Sequence, residues 1–283
     1  MEKIVIGIDF LDSSINALKH AVSIASKAKC DILMVWVNRP EYHKEVFLFE
    51  PEKLPTIIKD KFDALVESYQ PELPGNKIDY KMREGKVYKE LCQEAIESEA
   101  DLIIVGTHGS SGFEEFWIGS NANKIVSATD LPVITIRGGI DIKRPLNRIV
   151  MPIDSTIETR QKVPFTCKLA KIHDAEIHIV SVYTTRVMAV RERVARYSKQ
   201  AEKYLEEEDI KCVCEELETD NIARSVIDYA KNVDANLISI MTEQERTTAN
   251  LWLGPYAQQM VNHSPIPVLS IHSKDLWRSL TGG

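Results

Sequence analysis

Short, almost unbroken apolar runs alternate along the chain with stretches whose apolar residues recur every three or four positions. Lys3-Ile-Val-Ile-Gly-Ile-Asp9 is apolar up to its last residue, which predicts a parallel strand buried on both faces. Asp12, Ser13 and Ser14 can cap a helix, and Ile15, Leu18, Ala21, Val22 and Ala25 then follow helical spacing. The alternation continues with a strand at 32–37, an irregular stretch at 38–51, a helix at 53–69 and a strand at 78–82. A helix carrying Leu91, Cys92, Ala95 and Ile96 follows, then a strand at 101–105, a helix from 119 and a last strand at 133–136. Strands that alternate with helices predict an α/β fold, a parallel sheet with helices on both faces.

The whole order then recurs. Arg148-Ile-Val-Met-Pro-Ile-Asp154 matches Lys3 to Asp9 position by position, at an offset of 145 residues. Asn236 to Ile240 matches Asp101 to Val105, Leu251 to Gly254 matches Phe116 to Gly119, and Ile266 to Ile271 matches Leu131 to Ile136. Those three share an offset of 135 residues, so the second copy is about ten residues shorter before its fourth strand. The chain is predicted to be a duplicated domain, 1–139 and 145–275, joined by a linker around Gly138-Gly139. Two copies of one unit are expected to pack as a pseudo-twofold pair.

The one stretch with distinctive chemistry runs from Gly106 to Ser120. Gly106-Thr107-His108-Gly109 follows a strand, and nine residues later Gly119-Ser120 opens a helix. Open parallel sheets bind ligands beyond the carboxyl ends of their strands. Glycine allows close approach to the backbone, and a helix N-terminus offers free N–H groups to an anion. The spacing reads as a phosphate cradle or as a glycine-tolerant surface loop.

Composition narrows the remaining choices. At 283 residues with a net charge of −7, the chain does not bind nucleic acid by bulk attraction. It has no apolar run of membrane-spanning length and no signal-peptide layout, which predicts a cytoplasmic protein. Five cysteines in mostly apolar contexts fit reduced thiols. Cys212 and Cys214 share a strand face, and a metal role there has no second ligand pair to complete it. The seven histidines form no metal-ligand spacing, so no metal site is expected. The charged stretch at 186–208 reads as a solvated helix face.

Motif, repeat and strand endings together resemble the universal stress protein family in its tandem, two-domain form. The resemblance covers nearly the whole chain, and its specific part is Gly106-x2-Gly109-x9-Gly119-Ser120 with Asp9 at the end of the first strand. It implies two flavodoxin-like, Rossmann-like domains, each with a five-stranded sheet in the order 3-2-1-4-5, paired along their fifth strands. It also implies binding of ATP, or of AMP or ADP, with Mg²⁺ as the companion of a triphosphate. By that likeness Asp9 meets the ribose or adenine, Gly7 is the small residue of the binding pattern two before it, and Val105, Gly106 and Gly109 start the phosphate loop. Gly119 and Ser120 hold phosphates; Asn121 and Trp36 stand where the family has smaller residues, so the Asn121 amide either replaces a contact or crowds it, and Trp36 beside the adenine either stacks on the base or fills the pocket.

The second copy departs from the pattern. Gly106, Gly109 and Ser120 become Met241, Gln244 and Pro255, and only Gly254 survives. Side chains there would occupy phosphate space, and proline removes a donor N–H. One nucleotide per chain, in the first domain, is therefore expected. A regulatory module that shows its ligand state to a protein partner is the leading reading, with further homodimerisation open. The alternatives are a scaffold or small-ligand binder and a slow ATP hydrolase. No paired acid and base and no Gly-x4-Gly-Lys-(Ser/Thr) loop is present, so no catalytic residue is assigned.

Overall fold

The computed structural model describes residues 1–39, 53–107, 120–137, 145–242, 244–247 and 250–273. Gly109, Gly119 and His108 lie outside them, and Ser120 is described by its backbone alone. By contact density the chain divides into two units, residues 1–128 with 133–142, and residues 129–132 with 143–283.

In the first unit the elements run β1 (Lys3–Gly7), α1 (Asp12–Ala28), β2 (Asp31–Asn38), α2 (Leu54–Tyr69), β3 (Ile78–Glu84), α3 (Val87–Glu97), β4 (Leu102–Gly106), α4 (Ser120–Ala128) and β5 (Val133–Ile136). Its strands lie in the order β3-β2-β1-β4-β5, and every pair is parallel. β1 pairs on one side through Ile4–Ile32 and Ile6–Met34, and on the other through Ile4–Leu102 and Ile6–Ile104. That central position explains its continuous apolar run: Ile4, Val5 and Ile6 are all fully buried. The edge strand β3 mixes apolar and charged residues instead, and its Lys81 and Arg83 meet the buried Glu94 of α3.

The second unit repeats the order as β6 (Arg148–Ile153), α5 (Val163–His173), β7 (Glu176–Tyr183), α6 (Met188–Glu207), β8 (Cys212–Glu218), α7 (Ile222–Asn232), β9 (Leu237–Thr242), β10 (Gln244–Thr247), β11 (Asn250–Leu253), α8 (Pro255–His263) and β12 (Val268–His272). Its main sheet runs β12-β9-β6-β7-β8, all parallel. Counted within the unit, this is again 3-2-1-4-5.

Two departures matter for function. The segment that follows β9 in the second unit is an antiparallel hairpin, β10 with β11, in register from Gln244–Leu253 to Thr247–Asn250. And the first helix starts late. α1 begins three residues beyond Asp9, whereas Asp154 is followed by a 3-10 turn, Ile157–Arg160, and a regular helix only at Val163. Pro164, near the start of α5, has no N–H for a helix continuing from the turn.

Candidate functional site

In each unit the turn after the first strand is built the same way. In the first unit, the Asp9 amide donates to Ser14 Oγ at 3.2 Å, and the Leu11 amide donates to Asp9 Oδ1 at 3.0 Å. In the second, the Asp154 amide donates to Thr159 Oγ1 at 3.2 Å, and the Thr156 amide donates to Asp154 Oδ1 at 2.8 Å. Each aspartate thus bonds the amide two residues on, holding its carboxylate at the carboxyl edge of the sheet. Asp9 is exposed there.

Phe10 follows Asp9 with a left-handed φ of 63°, a rare conformation for an aromatic residue. Its ring meets Phe62 of α2 edge-on at 4.9 Å, and Phe62 stacks on Tyr80 of β3 at 4.6 Å. This aromatic row pins the turn that carries Asp9. Reading the sequence alone missed Phe10, because the contact joins residues 52 positions apart.

The two glycines at the strand ends have packing reasons for being glycine. A Cβ on Gly7 would lie 3.2 Å from Leu91 Cδ2 and 3.6 Å from Val105 Cγ1. A Cβ on Gly106 would lie 2.6 Å from the Ser13 carbonyl oxygen and 2.8 Å from its carbon. Gly106 therefore lets the first turn of α1 close onto the end of β4. Its bare side faces a helix, and a phosphate would approach its backbone from elsewhere. Val105 is buried. Trp36, two residues before the end of β2, is half-buried and paired with Met82. Asn121 is half-buried in the first turn of α4. Asp9, Trp36, Gly106 and Asn121 thus stand at strand ends or a helix start on the carboxyl side of the sheet.

Met241 occupies in the second unit the place of Gly106. A side chain at that strand end is incompatible with a helix turn pressed on it, and there the first turn is the withdrawn 3-10 segment. Lys162 fills behind that turn. It is fully buried, with Nζ donating to the Thr159 carbonyl at 2.6 Å and to Thr159 Oγ1 at 3.2 Å. Burial pushes its pKa down to about 8, against the pull of the Asp154 carboxylate.

A cleft of about 200 Å³ opens at the same edge. Asp154, Thr156, Val182, Met241 and Tyr256 line it, and Arg191 stands at its wall. Asp154 Oδ1 accepts from both the amide and the hydroxyl of Thr156, the latter at 2.5 Å. The guanidinium of Arg191 stacks 4.2 Å over the Tyr183 ring and pairs with Glu218 at 2.8 Å. The Tyr256 hydroxyl is buried and meets no hydrogen-bond partner among the described residues. Burial, and then the Asp154 charge, push that phenol far above its ordinary range. Tyr256, Thr156 and Lys162 were not singled out from sequence. The late helix start behind them was signalled by Pro164.

Elsewhere the chemistry is quiet. Partial desolvation, then a hydrogen bond to Glu202, pushes the thiol of the exposed Cys214 up to about 12, so it is no thiolate nucleophile. Among the described residues no group of three or more His, Cys, Asp or Glu could hold a metal ion. No described helix is long and apolar enough to cross a membrane.

A doubly wound α/β unit, present twice, with an aspartate in the turn just beyond its first strand in each copy, defines the class. The family model of the universal stress proteins matches residues 1–137 and again 145–272, and the chain belongs to that family. It is 29% identical over 143 residues to a universal stress protein of Methanocaldococcus jannaschii, covering 48% of this chain and 82% of that one. It is 24% identical over 148 residues to the universal stress protein YxiE of Bacillus subtilis, covering 48% of this chain and 98% of that one. Among solved structures, a universal stress protein of Archaeoglobus fulgidus superposes with a TM-score of 0.76 at 14% identity, over 96% of this chain and 98% of that one. That likeness extends the shared fold to the full two-unit length.

Proposed function

We propose that the first unit binds an adenine nucleotide, ATP or its AMP or ADP relative, and that the protein acts as a cytoplasmic regulatory module. The observation that carries this reading is the exposed Asp9, held at the carboxyl edge of the sheet beside the strand that ends in Gly106. A carboxylate there accepts from ribose hydroxyls. The nucleotide loop that starts at Gly106 ends in Gly119-Ser120, where α4 begins and its first N–H groups face an anion. These residues fit the group, with one refinement. Gly106 serves by letting α1 seat against β4, which leaves Gly109, Gly119, Ser120 and Asn121 as the phosphate contacts.

The second unit has lost that capacity. Met241 stands at the strand end, Pro255 takes the first position of α8, and a hairpin takes the place of the glycine loop. The bound nucleotide is proposed to be one per chain, with Mg²⁺ accompanying a triphosphate. The first unit is proposed to show its ligand state to a protein partner.

Calorimetry of the intact chain with ATP and with AMP tests this. One site per chain is expected, with Asp9→Ala weakening binding about tenfold or more, the scale of a lost hydrogen bond to a charged group. Two equivalent sites, or unchanged affinity in both Asp9→Ala and Gly109→Asp, would remove the reading.

A further inference from the structure

We propose that the second unit has a binding site of its own, a cleft that takes a small uncharged molecule with an apolar body and a hydroxyl group, the hydroxyl bridging Asp154 and Tyr256. Asp154 and Tyr256 both line this cleft, and the Asp154 charge is felt at the phenol, so the two groups have complementary needs. The Asp154 bonds both fall on Oδ1, from the amide and hydroxyl of Thr156. Its other oxygen is the acceptor left for a ligand. The Tyr256 hydroxyl is buried and has no partner among the described residues. Its phenol is held protonated by burial and by the Asp154 charge, so it needs an acceptor. The two do not bond each other.

A hydroxyl group meets both needs at once, since it donates to a carboxylate and accepts from a phenol. An ammonium has no lone pair for the phenol proton. A phosphate or carboxylate would face Asp154 and Glu158, which both line the cleft. The cation at its wall is already engaged, because Arg191 is paired with Glu218 and stacked on Tyr183. Thr242 is no rival partner, for its hydroxyl is 2.7 Å from His272 Nδ1. Val182, Val190, Ile222 and Met241 supply an apolar wall. The volume of about 200 Å³ suits a compact molecule and is below that of drug-sized sites. The site is independent of the nucleotide reading, since it lies in the other unit.

The probe is 2-phenylethanol, added to the intact chain and followed by ligand-detected NMR, with ethylbenzene and phenylacetate as shape-matched comparators. Binding of the alcohol at millimolar concentration is expected, with both comparators about tenfold weaker. Tyr256→Phe should weaken the alcohol about fivefold to tenfold, the worth of one hydrogen bond. The same substitution should leave Tm unchanged or raised without probe, because it removes an unpartnered buried group. Asp154→Asn, which keeps the shape, should weaken the alcohol as well. Saturating ATP should leave the alcohol signal in place. No binding of the alcohol, equal binding of ethylbenzene, preference for phenylacetate, unchanged affinity in Tyr256→Phe, or displacement by ATP would each overturn the proposal. If the alcohol binds while ATP does not, the nucleotide reading fails and this one stands.

Discussion

Ser14 and Thr159 do one task in two places: each accepts a hydrogen bond from the amide of the aspartate five residues before it, at the same 3.2 Å. The helices that follow differ in start and length, yet this bond is retained. Both hydroxyl residues are buried, so each amide depends on the side chain for its partner. Ser14→Ala and Thr159→Val should each cost about 1–2 kcal/mol, and more than the same changes at an exposed serine or threonine. Hydrogen exchange supplies the local readout. The Asp9 amide should lose protection in the first variant and the Asp154 amide in the second, each without change in the other unit.

Gly106 and Gly7 should respond unequally to alanine. At Gly106 the new Cβ meets backbone atoms of Ser13 at 2.6 and 2.8 Å, and a helix turn has to move. At Gly7 it meets the flexible end of Leu91 at 3.2 Å. Urea unfolding should show Gly106→Ala costing about 1–3 kcal/mol and Gly7→Ala less than about 1 kcal/mol. Equal costs would mean that α1 is not seated on β4 through this glycine.

The strand order and the duplication were readable because they rest on local pattern. Lys3 to Asp9 and Arg148 to Asp154 carry their burial in their own composition. The role of Gly106 was not readable, since Ser13, the residue that requires it, lies 93 positions away. A glycine after a strand suggests an approaching phosphate as readily as an approaching helix. Tyr256 escaped for a related reason. Pro255 beside it was read as a lost donor, while the hydroxyl matters only through the cleft that Asp154 and Met241 help to line. Gly109 and Gly119, central to the sequence reading, lie outside the described residues.

Glu94 is a buried carboxylate in α3, bonded to Arg83 at 2.6 Å and to Lys81 at 2.7 Å. Arg83 also reaches Glu90 at 3.0 Å and Glu97 at 2.7 Å, and these three acids hold its guanidinium firmly charged. The pairs tie the edge strand β3 to α3. Removing the cation leaves Glu94 buried beside Lys81 alone, whereas neutralising Glu94 removes the charge that needs company. Arg83→Met should therefore cost about 2–4 kcal/mol and Glu94→Gln clearly less. Urea titrations of the two variants provide the comparison, and the reverse order would show that Glu94 is solvated in solution.

Lys162 gives the second unit a pH signature of its own. Its folded pKa of about 8 lies below its ordinary 10.5, because burial disfavours the ammonium. Between those values the unfolded chain binds a proton that the folded chain does not, so stability from this group rises with pH. Below pH 8 both states are protonated and the full cost of burying the charge is present. Other groups oppose the trend at high pH, since burial pushes the Cys92 thiol up to about 12, and partial desolvation with the Glu202 hydrogen bond does the same for Cys214. They titrate equally in wild type and in Lys162→Met, so the difference between the two proteins isolates the lysine. That difference should shift in favour of wild type by about 3 kcal/mol between pH 8 and 10.5. Below pH 8 it should be flat, and Lys162→Met should be the more stable protein unless the bonds to Thr159 outweigh the burial cost. A difference that is flat across the whole range would place the Lys162 ammonium in water.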